Sequence, residues 1–128
     1  GFRDWDWARC EMANGDTSVI YDVRPKHGPD RVVAQRFSPN GATTPFTPAQ
    51  RYDLPMSGWR IKRGMRNEAG CAPQIISTLE DTPFYARSLL KTTVMGESVT
   101  AMHESLDIPR LVSLPVRLML PWRMPRRP

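Results

Sequence analysis

The chain has 128 residues, 40% of them hydrophobic and 24% charged, which suits one modest soluble domain or part of one. No run approaches the roughly 20 apolar residues of a membrane-spanning helix. Eighteen Lys and Arg against 13 Asp and Glu give +5 and a pI near 9.8. All the acids lie before residue 108, and the excess is Arg110, Arg117, Arg123, Arg126 and Arg127. The basic character is therefore that of a tail, which argues against nucleic acid and toward an anionic membrane surface or acidic partner. Residue 1 is Gly, so the start is expected upstream, and no secretory leader is visible. Cys10 and Cys71 are far apart, and His27 and His103 are isolated, which is not zinc spacing. Free thiols in a reducing cytosol are expected, with a disulfide left open.

The elements read as strands. Residues 5–12 are extended and aromatic-rich, and the turn at 13–16 contains Asn14-Gly15, whose backbone tolerates the positive φ of tight hairpins. Residues 17–24 (TSVIYDVR) and 31–37 (RVVAQRF) are β-branched strands. Pro45, Pro48 and Pro55 predict a long irregular connection over 42–56. Trp59 to Arg63 alternates apolar and cationic residues, as a half-buried strand does. Strands follow at 74–80, 84–94 and 97–106, with a short turn at Met95-Gly96. About seven strands without helical periodicity predict an all-β antiparallel barrel or sandwich. An odd count and a non-Met start suggest one strand upstream. Residues 1–109 form the expected body. Residues 110–128 form an apolar, Arg-rich tail in which Pro115 and Pro121 limit helix to a turn or two.

Three clusters carry candidate chemistry. In 2–9 (FRDWDWAR), Trp5 and Trp7 share one strand face and Asp4 and Asp6 the other. The indoles form either a wall for a flat apolar ligand or carbocation, or a core pair opposite a solvated acidic face. Asp22 sits mid-strand, where Asp is disfavoured; it is either a buried general acid or a polar-face residue paired to an Arg. Its neighbour Tyr21 points to the opposite face, so at most one of the two lines a cavity. Glu80, Asp81, Tyr85 and Arg87 crowd a bend at Pro83, as a site or as a charged corner held by local ion pairs. His103 and Glu104 face apart as strand neighbours, which argues against a proton shuttle.

The stretches DWDWAR (4–9), VIYDVR (19–24), TLEDTPFYARS (78–88), AMHESLD (101–107) and LMLPWRMPR (118–126) resemble the C-terminal part of the carotenoid 1,2-hydratase family, also called hydroxyneurosporene synthase, of photosynthetic bacteria. The resemblance implies the second of two lipocalin-like (calycin) barrels, here incomplete, and an upstream HNWG-like motif absent from this chain. It implies hydration of the C1–C2 double bond of an acyclic carotenoid such as neurosporene or lycopene. Protonation at C2 gives a tertiary cation at C1, which water captures, with no metal or redox cofactor. Asp22 is then the first candidate for the proton donor, with Asp81 or Glu80 behind it. Tyr21 would orient water, Trp5 and Trp7 would wall the cation or polyene, and Tyr85 and Arg87 would complete the substrate contacts. The expected partners are the carotenoid, water, the upstream domain and, through Leu118, Leu120, Trp122 and the arginines, a photosynthetic inner membrane touched peripherally from the cytoplasm. Two other readings stay open: a non-catalytic lipid- or carotenoid-binding lipocalin-like domain, and a structural domain with a filled interior and a solvent-facing Asp22.

Overall fold

A computed structural model describes residues 2–112, Phe2 in its backbone only. The tail expected from 110 is described as far as Val112, and Leu118, Leu120 and Trp122 lie outside the described residues.

The described residues form nine strands and one short helix: β1 Phe2–Glu11, β2 Thr17–Pro25, β3 Arg31–Phe37, β4 Thr43–Pro45, β5 Gln50–Leu54, β6 Arg63–Asn67, β7 Gln74–Asp81, β8 Tyr85–Val94, β9 Glu97–Asp107 and α1 Ile108–Val112. Seven join one antiparallel sheet in the order β4-β3-β2-β1-β9-β8-β7. β5 and β6 pair only with each other. The edges β4 and β7 do not pair, so the antiparallel barrel is open and incomplete.

The alternating strands form where their period-2 pattern predicts. The middle of the chain differs. Residues 42–56, expected to be irregular, contain β4 and β5, while Trp59 to Lys62, expected to be a strand, form a turn and loop before β6. Prolines bound the short strands rather than abolishing them: Pro45 ends β4 at the sheet edge, where no ladder donor is required of it. At Trp59 to Lys62 the turn is fastened instead by Ser57, whose Oγ accepts from Ile61 N at 3.0 Å and whose carbonyl accepts from Arg60 N at 2.8 Å.

The inner face divides along the strands. Toward the 12–17 and 94–97 turns it is apolar, with Ala8, Cys10, Met12, Ile20, Leu90, Val94, Val99 and Ala101 buried together. Met65 of β6 and Leu54 of β5 pack into the same cluster, so the β5–β6 hairpin lies against this face. Burying side chains the size of Leu90 or Met65 stabilises by about 1.5–3 kcal/mol each. At the other end the same face turns polar: Asp4, Asp6, Asp22, Arg24, Ser88, His103 and Ser105 are all buried.

Both residues of the β8–β9 loop have positive φ, Met95 at 48° and Gly96 at 78°, the twist-matching geometry of a two-residue hairpin. A Cβ at Gly96 would meet nothing within 4 Å, so any cost there is backbone strain alone. Gly96→Ala is expected to destabilise the chain by about 1 kcal/mol, read as a lower urea midpoint at unchanged m-value.

Candidate functional site

The polar end of the inner face is built around two aspartates that stand opposite each other. Asp6 of β1 and Asp22 of β2 are direct cross-strand partners, and both are buried, Asp22 to 1% exposure. Like charges in this position repel. Guanidiniums from β2 and from the hairpin answer them. Arg24 donates from Nη2 to Asp6 Oδ2 at 2.6 Å, from Nη1 to Asp22 Oδ2 at 3.4 Å and from Nε to Asp4 Oδ1. Arg51 of β5 donates from Nη1 to Asp22 Oδ2 at 2.5 Å and from Nη2 to Asp6 Oδ2 at 3.1 Å. Arg66 of β6 donates from Nε to Asp22 Oδ2 at 3.3 Å and from Nη2 to Asp30 Oδ2 at 3.0 Å. Burial works against the Arg24 guanidinium, but Asp6, then Asp4 and Asp22, hold its pKa above the ordinary value.

The two carboxylates differ in how far they are satisfied. Asp6 Oδ1 also accepts from Gly64 N at 3.1 Å and from the Ser105 hydroxyl, so all of its lone-pair directions are used. Asp22 receives every guanidinium on Oδ2, and its Oδ1 has no hydrogen-bond partner among the described residues. Unpaired buried polar atoms are few in folded proteins and call for a reason. Asp22 lines a narrow void with Ala8, Ile20, Met65 and His103.

His103 is fully buried, with Nε2 2.7 Å from Gly64 O and 3.5 Å from Asp6 Oδ1, and Nδ1 unpaired. Burial, the largest influence, lowers its pKa against the opposing pull of Asp6 and the Gly64 carbonyl. The neutral ring then donates from Nε2 to Gly64 O. Gly64 thus serves both sides of the site, its N–H on Asp6 and its carbonyl on His103. A Cβ there would lie 2.2 Å from Arg51 Nη2.

The sequence candidates are distributed over two faces and a corner. Asp22 is inside. Tyr21, 42% exposed, is on the outer face with Trp5 and Trp7, its ring centroid 6.3 and 6.2 Å from theirs. Tyr85, Arg87 and Glu104 share that outer face through β8 and β9, and Arg87 pairs with Glu80 at 2.9 Å. Burial, then Glu104, raises the Tyr85 pKa above its ordinary range. A shallow outer groove of about 470 Å³ is lined by Trp7, Arg87, Leu89, Met102 and Glu104. Asp81 stands apart: its carboxylate accepts from Gly58 N at 2.6 Å and Trp59 N at 3.3 Å, fixing the loop before β6. The acidic face of β1 is therefore not solvated, as one expectation had it; its acids point inward and its indoles outward. Of the structural-domain expectations, the filled interior is observed, and the solvent-facing Asp22 is not.

Arg51, Arg66, Gly64 and Ser105 carry the site without having been singled out in the sequence. One signal was available for Asp6. Ala8, Cys10 and Met12 continue its parity, and small or apolar residues mark the inward face.

An open antiparallel lipocalin-like sheet enclosing a buried aspartate–arginine cluster is the class these features define. The crystal structure of a protein described as AttH from Nitrosomonas europaea shares the fold, with a TM-score of 0.54 at 18% identity over 81% of this chain and 38% of that one. A match to carotenoid hydratase CrtC spans residues 1–128, and the chain belongs to that family. It is 55% identical over 126 residues to the acyclic carotenoid 1,2-hydratase of Rubrivivax gelatinosus and 49% identical over 126 residues to that of Thiocapsa roseopersicina. Each alignment covers 98% of this chain and 31% of the relative, so the chain spans about a third of their length. The acyclic carotenoid 1,2-hydratase of Cereibacter sphaeroides is 31% identical over 127 residues, covering 99% of this chain and 45% of that protein.

Two stability tests follow from the geometry. A Cβ at Gly64 would clash with the Arg51 guanidinium, so Gly64→Ala is expected to move Arg51 off both aspartates and to cost about 3–5 kcal/mol, as is Arg51→Ala. The double variant should cost little more than either alone, which a double-mutant cycle in urea measures. For His103, the folded pKa is lowered, so the unfolded state binds the proton first. Stability is then intact above the unfolded value near 6.5 and falls as pH drops below it, by up to about 1.4 kcal/mol per unit until the folded ring protonates. His103→Gln should flatten that part of the stability–pH curve.

Proposed function

We propose that this chain is part of an acyclic carotenoid 1,2-hydratase, a hydro-lyase adding water across the C1–C2 double bond of a substrate such as neurosporene or lycopene. The observation that carries this reading is identity of 55% over nearly the whole chain to a relative of that name. The reaction starts from an alkene that is a poor base, so it needs a positioned acid, then stabilisation of a tertiary cation, then a water.

Asp22 is the proton donor in this reading, acting from the form that carries a proton on Oδ1 and returning to the carboxylate that the three arginines hold. Its support is the asymmetry of the carboxyl: Oδ2 is anchored by three arginines and Oδ1 is left unpaired. Arg24, Arg51 and Arg66 are positioning residues. The void at Asp22 is narrower than a water molecule, so the alkene end reaches Oδ1 only when the β5–β6 hairpin shifts. Trp5, Trp7, Tyr21 and Tyr85, on the other face, contact the polyene away from the reacting end, with Arg87 and Glu80 at the rim. A second reading puts the chemistry on that outer face, with the aromatics around the cation and Glu80 or Glu104 as the acid. Trp7, Arg87 and Glu104 lining one outer groove, with Tyr21 against both indoles, favour it. Asp81 serves the 58–59 loop in both readings.

In this reading an upstream lipocalin-like domain belongs to the full-length protein, and residues 1–109 and 110–128 act as body and tail. We place the protein in the cytoplasm, touching the membrane that holds its substrate. No helix among the described residues is long and apolar enough to cross a membrane.

The test is turnover of lycopene by a full-length protein containing this chain. Asp22→Asn is expected to lower kcat by about 10²–10⁴-fold while bound carotenoid remains visible in the absorption spectrum. Turnover within a few-fold of the parent would remove Asp22 from the acid role. Loss in Glu104→Gln instead would move the chemistry to the outer face.

A further inference from the structure

The rim of the polar end holds a second feature that the hydration chemistry does not use. A cavity of about 310 Å³ opens there, and its lining includes Arg3, Arg24, Arg51, Lys62 and Arg63 against Asp4 and Asp53. Arg24 and Arg51 are committed to Asp6 and Asp22 behind the cavity wall. Arg3 lies 3.7 Å from Asp4, which Arg24 already holds. Lys62 is exposed and makes no ion pair among the described residues.

Arg63 is the unusual member. It is 5% exposed, yet every group it hydrogen-bonds is neutral and it forms no ion pair within 4 Å among the described residues. Nε donates to Pro55 O at 2.8 Å, Nη1 to Thr78 Oγ1 at 3.0 Å and to Ser88 Oγ at 2.9 Å, and Nη2 to Met56 O at 3.2 Å. A guanidinium has five N–H donors, and these bonds use four of them. The fifth, on Nη2, is unspent among the described residues. Burial lowers the Arg63 pKa and Asp81 offsets this in part, but the Asp81 carboxylate is bonded to the Gly58 and Trp59 amides. A buried cation without a contacting anion is costly, and a bound anion would relieve it.

We propose that this cavity binds a phosphate group, with Lys62 and Arg3 closing on it from the rim and the free Arg63 donor meeting it from below. Arginine and lysine together suit this ligand: the fork supplies directed donors and the ammonium a compact charge. A polyene has no group that would neutralise these cations, so the ligand of this cavity is not the polyene, although Arg24 and Arg51 border both sites. The phosphate belongs either to a lipid headgroup or to a free anion.

The experiment titrates the ¹⁵N-labelled chain at constant ionic strength with inorganic phosphate and, separately, with glycerophosphoglycerol, a water-soluble headgroup phosphodiester. Saturable amide shifts are expected over residues 54–63. Lys62→Gln, at an exposed position with no partner to lose, should weaken binding by about fivefold or more. Lys91→Gln, at the exposed position of β8, should leave it unchanged. Tighter binding of glycerophosphoglycerol would assign the site to a lipid headgroup, and tighter binding of inorganic phosphate to a free anion; both support the proposal. Absence of saturable shifts at 54–63 with either probe would overturn it. So would equal weakening by the two lysine variants, since that is the behaviour of diffuse surface charge.

Discussion

Asp6 and Asp22 stand side by side on neighbouring strands, and the rest of the structure is arranged around that repulsion. Two such charges roughly 5 Å apart repel by about 3 kcal/mol at an effective dielectric near 20. Arg24 alone, reaching Asp22 at 3.4 Å, does not span both well. The β5–β6 hairpin brings the other two guanidiniums and the Gly64 N–H. The sheet without the hairpin would keep an unscreened pair of carboxylates, and the hairpin without the sheet would carry Arg51 and Arg66 with no buried partners. Each half therefore needs the other, and the hairpin fills the interior that a ligand would occupy in an empty barrel.

The same cluster separates a structural aspartate from a candidate for chemistry. Asp6 sits where four donors converge, from Arg24, Arg51, Gly64 and Ser105. An arrangement so fully satisfied leaves no oxygen of Asp6 open to a further partner. Asp22 shares Arg24 and Arg51 with it and is as deeply buried, but its donors all converge on one oxygen. Buried ion pairs seldom add stability over a well-packed apolar core. Their retention here is better explained by what they orient: the three arginines hold Oδ2 and leave Oδ1 without a partner among the described residues, on a carboxylate that lines the void beside Ile20 and His103.

The strands were legible because period-2 alternation is a local property. The parity of Trp5, Trp7 and Tyr21 against Asp4, Asp6 and Asp22 follows from it directly. Which face was buried was less plain, since indoles usually mark the inside. Ala8 and Cys10 decide the matter: their small side chains let the hairpin approach, and the tryptophans go outside by default of parity. β5 and β6 were illegible because their pattern is set by tertiary contact. Arg51 and Arg66 lie 29 and 44 residues from the Asp22 they hold, and a strand reading RGMRN has no apolar alternation to announce it. Gly64 stands where it does because Arg51 crosses its α-carbon, which no local rule predicts.

Strand geometry also constrains how a hydration site can be assembled from these parts. An acid, a π surface for a cation and a water must all meet one carbon–carbon bond, yet Asp22 and its neighbour Tyr21 project from opposite sides of a single sheet. No movement of β2 that preserves its pairing brings them together, because a one-residue slip would expose every buried residue of the strand. The sheet is fixed, and the hairpin is the piece held to it mainly by side chains at this end. Displacing β5–β6 would open the space over Asp22 while Arg24, on β2 itself, stayed with the carboxylate. With Asp22 as the donor, the cation-facing surface has to come from groups that enter this space with the substrate or from the part of the relatives' length beyond this chain. The outer aromatics then serve the polyene rather than the cation.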